Sequence, residues 1–163
     1  DSLQDYLTGD YAAAPEDIRS ILHPCMEQLS GKIRTLQSLS QKVKQMDPQK
    51  VLCHTDAHGW NLMQSDHLVL VDWEGMKLVP AEADLFMWAA KDYWDVFYSH
   101  YHKIRPDFEV DQTLLTFYGI RRKLEDIWAF LESLLYDDPS EEQRAEDLIY
   151  LANECKNLDA FCF

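Results

Sequence analysis

The sequence predicts a mainly α-helical fold with a small β ribbon, an α+β arrangement whose strands are confined to one short stretch. Apolar residues recur at helical spacing on both sides of a central segment, Val51 to Phe86. That segment holds the short β-branched runs, and Pro, Gly and Asp-Pro breaks punctuate the rest. The 163 residues, 47% hydrophobic and including five tryptophans, suffice for one domain with a real core.

Taken in order, Asp1 to Ala14 has no sustained period and ends in small residues, so linker or irregular helix is expected there. Pro15-Glu16-Asp17 opens a helix, with proline in the first turn and acids at its positive end. Pro24 interrupts it. Cys25, Leu29, Ile33, Leu36 and Val43 then form one apolar stripe of a long helix that Asp47-Pro48 ends. Val51-Leu52-Cys53 reads as a buried strand and His67 to Val71 as its partner, with Lys77 to Pro80 a third short strand turned at Gly75.

Ala81 to about Lys103 reads as one aromatic-rich helix. Its rings could stack on a planar ligand or pack into a core. Arg105-Pro106-Asp107 breaks it, and Asp111 caps a helix through Tyr118 that Gly119 ends or bends. Leu124, Ile127, Trp128, Leu131, Leu134 and Leu135 make the cleanest helical stripe, and Ser140 with Glu141-Glu142 starts a last helix whose stripe is Ala145, Leu148, Ala152 and Cys155. About six helices are expected.

Fifteen basic against 29 acidic residues give a net charge of −14, which disfavours nucleic-acid or anionic-membrane partners and suits a cationic substrate or simple solubility. Cys25, Cys53, Cys155 and Cys162 show no C-x-x-C spacing and read as reduced residues of a cytoplasmic protein. No apolar run approaches a membrane span and no signal peptide is seen.

The most specific signal is His54-Thr55-Asp56-Ala57-His58-Gly59-Trp60-Asn61, followed after a strand by Asp72-Trp73-Glu74. Kinase-type phosphoryl transfer needs one carboxylate for the attacking hydroxyl's proton, and an amide plus a second carboxylate to hold magnesium on the nucleotide phosphates. Asp56, Asn61 and Asp72 can fill those roles. A loop aspartate alone is more often a turn or cap residue, and it is the second acidic motif that turns the balance. In a rival reading, an extended 54–58 segment projects His54, Asp56 and His58 to one side as ligands of a metal-dependent hydrolase. That leaves Asn61 and Asp72-Trp73-Glu74 without a task.

These motifs resemble the catalytic core of the aminoglycoside phosphotransferase and choline kinase superfamily, relatives of protein kinases. There a loop of the form H-G-D-x-H-x-x-N precedes Ile-Asp-aromatic and then an acidic residue heading a helix, here Val71-Asp72-Trp73-Glu74 and Ala83-Asp84-Leu85. Threonine stands at 55 where glycine is usual, and the run is most similar to the spectinomycin phosphotransferase branch. The resemblance implies the carboxy-terminal lobe of a protein-kinase-like fold over 1–163, with Asp56 as base, Asn61 and Asp72 as magnesium ligands, and His54 and Asp84 bracing the loop. It implies ATP and Mg2+ as cofactors and transfer of the γ-phosphoryl group to a hydroxyl of a small cationic molecule such as an aminocyclitol antibiotic. Glu74 and Asp92 are then candidates for holding its amines. Gly9, Gly31, Gly59, Gly75 and Gly119 form no G-x-G-x-x-G and no strand-rich segment precedes residue 50, so the amino-terminal nucleotide lobe is expected to be missing and Asp1 to begin a fragment. Such a lobe could by itself be a non-catalytic binding module.

Overall fold

The computed structural model describes residues 2–160, so Cys162 lies outside the described residues. The first segment is more ordered than its sequence period suggests, forming α1 (Ser2–Thr8) and a 3-10 turn at Tyr11–Ala13. Pro15 stands at the N-cap of α2 (Glu16–Leu22) rather than inside it, and Glu16 and Asp17 occupy the first turn. Pro24 produces only a 3-10 turn, His23–Cys25, before α3 (Met26–Met46). On the stripe of α3, Leu29 is fully buried while Ile33, Leu36 and Val43 are half-buried.

The strands differ from expectation in their pairing. β1 (Val51–Cys53), β2 (Leu62–Gln64), β3 (Leu68–Leu70) and β4 (Lys77–Val79) make two separate two-stranded antiparallel sheets, β1 with β4 and β2 with β3. The 67–71 run therefore pairs with Leu62-Met63-Gln64, not with Val51–Cys53. Without a β-branched residue, β2 carries no strand signal of its own. The Ser65 N–H to His67 carbonyl bond (3.0 Å) closes the hairpin and sets Leu62 opposite Leu70.

The aromatic segment is two helices, α4 (Glu82–Ala89) and α5 (Trp94–Ile104), with a turn whose Lys91 N–H bonds the Trp88 carbonyl. Neither Pro nor Gly marks that break in the sequence. Its rings stack on one another, Trp88 on Phe97 at 5.6 Å and Trp94 on Tyr98 at 5.2 Å, which resolves the two readings in favour of packing. Asp111 caps α6 (Gln112–Tyr136) by accepting from the amides of Thr113 (2.7 Å) and Leu114 (3.1 Å), and the helix runs unbroken through Gly119. Ser140 caps α7 (Glu141–Lys156). In α7 the sequence stripe is displaced: Ala145 is exposed, whereas Asp147 is buried and bonded by Ser133 Oγ (2.7 Å) and Gln143 Nε2 (2.8 Å). There are seven α-helices among the described residues.

The described chain divides into two compact units. One comprises the chain up to Ser38 together with Ile120–Ala160, and its core includes Ile18, Leu22, Ile127, Leu131 and Leu151. Each fully buried aliphatic side chain of this kind contributes about 1.5–3 kcal/mol. Cys25 and Cys155 are free, buried thiols of this unit. The other unit, Leu39–Gly119, carries both sheets, α4 and α5 around Ala81, Leu85, Phe86 and Leu115. Among the described residues no helix is long and apolar enough to cross a membrane.

Glu82 is an unforeseen buried carboxyl, 3% exposed, whose Oε1 accepts the Asp111 N–H at 3.0 Å. Burial raises its pKa above the ordinary 4.5, against the opposing backbone hydrogen bonds. An acid with a raised folded pKa stabilises the fold below its unfolded pKa and loses that contribution as pH rises through the folded value. Glu82→Gln keeps the acceptor and removes the buried charge. The variant should therefore show a higher thermal midpoint than wild type at pH 7–8, with the gap closing near pH 4, in parallel melts across pH.

Candidate active site

The loop after β1 is held from below by one carboxylate. Asp84, in the first turn of α4, accepts the His54 amide at Oδ2 (2.9 Å) and the Thr55 amide at Oδ1 (2.6 Å). His54 is 2% exposed and both its ring nitrogens are engaged: Nε2 lies 2.7 Å from the Val71 carbonyl, and Nδ1 accepts the Asp56 N–H at 3.3 Å. Since a carbonyl can only accept, the two bonds require the Nε2–H tautomer. Trp73 closes over the imidazole edge-on at 4.9 Å, its Nε1–H bonded to the Leu70 carbonyl (2.7 Å). Beneath the loop, burial and the neighbouring Asp84 push the Cys53 thiol up to about 12. It donates to the Val79 and Pro80 carbonyls and is no nucleophile.

Asp56 and Asn61 are brought together. Asn61 Nδ2 donates to the Asp56 backbone carbonyl (2.9 Å) and to its Oδ2 (3.2 Å), and His58 Nε2 stands 3.3 Å from the same Oδ2. Asp72 arrives through the hairpin: the Val71 N–H bonds the Asn61 carbonyl (2.9 Å), extending the β2–β3 ladder so that Asp72 follows directly. Its backbone is left-handed, φ 64 and ψ 59, a conformation that aspartate tolerates better than most residues. The Asp72 side chain is exposed.

This donor set suits a hard divalent cation. With the Asn61 NH2 turned to Asp56, its Oδ1 faces elsewhere, and that oxygen and the Asp72 carboxylate are the ligand types magnesium takes beside substrate phosphates. The hydrolase reading does not survive. Thr55 has φ 68, so 54–58 is not extended, and the His54 nitrogens are already bonded. Among the described residues no group of three or more His, Cys, Asp or Glu side chains is placed to hold a metal. Glu74 is exposed in the 3-10 turn after Asp72, and Asp92 is exposed in the turn before α5.

A model of the phosphotransferase enzyme family matches residues 14–123.

The chain belongs to the phosphotransferase enzyme family.

Solved structures of similar fold include spectinomycin phosphotransferase, APH(9)-Ia, in complex with ADP and spectinomycin, at 22% identity and a TM-score of 0.67, covering 96% of this chain and 50% of that one. The AMP-bound complex of the same enzyme matches at 23% identity and a TM-score of 0.67, over 91% of this chain and 48% of that one. This phosphotransferase chain thus spans about half the length of these solved relatives, and the likeness speaks for the fold. No curated protein is matched by the sequence. Thr55 and Trp73 stand within the motifs read from the sequence, which gave neither of them a contact. Only the departure from glycine at 55 hinted at the first.

Proposed function

We propose that the chain is the carboxy-terminal lobe of an ATP-dependent phosphotransferase that moves the γ-phosphoryl group to a hydroxyl of a small cationic molecule, of aminocyclitol type. The observation that carries the reading is the convergence of Asn61 and His58 on one oxygen of Asp56, with Asp72 delivered beside Asn61 by the hairpin. Asp56 orients the acceptor hydroxyl and takes its proton as the oxygen–phosphorus bond forms and the bond to the leaving ADP breaks. Asn61 and Asp72 would hold magnesium, which when bound neutralises charge on the nucleotide phosphates. His54 and Asp84 keep the loop in place, so that catalysis draws mainly on positioning and electrostatics. The net charge of −14, with Glu74 and Asp92 exposed, favours an amine-bearing acceptor.

The half-length match to relatives crystallised with ADP and AMP supports a nucleotide lobe outside this chain. The same observation favours a second reading, in which the chain by itself is a binding module. Calorimetry with Mg2+ and ATP should find no better than weak binding to the chain alone, and micromolar affinity would overturn the missing-lobe view. For the intact enzyme, a screen of aminoglycosides, spectinomycin, choline and small sugars should show acceptor-dependent ADP release with a cationic compound. Release that ignores the acceptor would sink the assignment.

A further inference from the structure

Of the two left-handed residues of the site, Thr55 is bonded to the turn that the other, Asp72, opens, through a contact that neither motif predicts. Among the described residues three that are not glycine have positive φ: Asp47, Thr55 and Asp72. A β-branched residue is the least suited to that conformation, and glycine is its usual occupant. Thr55 nevertheless sits there at φ 68, its amide on Asp84 and its Oγ1–H donating to the Gly75 carbonyl at 3.0 Å. Gly75 closes the 3-10 turn Trp73–Gly75, which Asp72 opens. The ring of His54 holds the carbonyl of Val71, immediately before Asp72, and the hydroxyl of Thr55 holds the carbonyl three residues after it.

We propose that Thr55 is a positioning residue whose hydroxyl tethers the Asp72 turn to the Asp56 loop, setting Asp72 against Asn61. A glycine at 55 would relieve the backbone but remove this hold on the far end of that turn, where the Met76 N–H to Trp73 carbonyl contact is 3.3 Å long. The hydroxyl is what a glycine in this conformation would lack. That this tether serves a divalent cation rests on the functional reading above, whereas the tether itself does not.

The test compares Thr55→Ser, Thr55→Val and Thr55→Gly in this chain, by amide hydrogen exchange at residues 72–76 and by chemical shifts of the Asn61 and Asp72 amides during titration with Mg2+ alone. Serine should behave as wild type. Valine and glycine should speed exchange of the Met76 amide at least about fivefold, the scale of one modest hydrogen bond, and weaken the Mg2+ midpoint by a similar factor. Unchanged exchange in both, or a serine variant as fast as valine, overturns the tether. If wild type responds to Mg2+ and the Thr55→Val midpoint is unmoved, the tether does not serve the site. No response in wild type at all defeats the metal reading, and exchange still decides the tether.

Discussion

Asp56→Asn in the intact enzyme should lose at least about a hundredfold in turnover, the lower end of general acid–base contributions. The substitution is nearly isosteric, so the effect is chemical. Asn61 Nδ2 and His58 Nε2 both approach Oδ2 of Asp56, and the Asn61 bond to the Asp56 backbone carbonyl survives any side-chain change. An asparagine at 56 turns its one oxygen to those neighbours and places an NH2 on its other side. A weakly basic carboxylate becomes a group that cannot accept a proton at neutral pH. The loop should keep its shape, because Asp84 and His54 hold the backbone of 54–56 independently. The expected signature is a collapse of kcat with nearly unchanged KM for magnesium nucleotide and an unshifted thermal midpoint, read from steady-state ADP release and a melt. Near-normal turnover in the variant would refute Asp56 as the base.

The loop and turn of the candidate site were legible in the sequence because they are local. Asp56 and Asn61 lie five residues apart on one loop, and Asp72 follows a run that reads as a strand whatever its partner. Strand pairing was not legible, since three-residue strands carry too little alternation to choose a neighbour and β2 has no β-branched residue. The break between α4 and α5 lacks Pro or Gly, so a continuous aromatic pattern hid it. The long helices were readable wherever the buried face is apolar, as with Leu124, Ile127, Leu131 and Leu134. Reading failed where that face is polar: Asp147, Glu82 and Lys123 are buried because a specific partner satisfies each, and pattern alone does not reveal partners. Thr55 is the same kind of case in the backbone, a strained conformation held by contacts distant in sequence.

Lys123→Met should be the most damaging of the surface-sized substitutions outside the site, costing about 3 kcal/mol, or about 6–12 °C in thermal midpoint for a chain of this length. Lys123, on α6, is 6% exposed and its Nζ donates to Glu154 Oε2 on α7. Methionine fills a similar volume, so packing changes little. The loss comes from what stays behind. Glu154, whose side chain is 26% exposed, is left without this cation, close to Asp126. Burial already raises the Asp126 pKa, while Arg122 and, more weakly, Lys123 pull it back down. Removing the ammonium therefore costs twice, once at each carboxylate. Replacing both partners removes the stranded charge, and Arg122 still pairs with Asp126 at 2.8 Å. Lys123→Met with Glu154→Leu should accordingly recover most of the stability lost by the single substitution, in denaturant titrations of the four species of the cycle. A single variant within about 0.5 kcal/mol of wild type, or a double variant as unstable as the single one, would show that the α6–α7 contact is held by its apolar stripe and not by this ion pair.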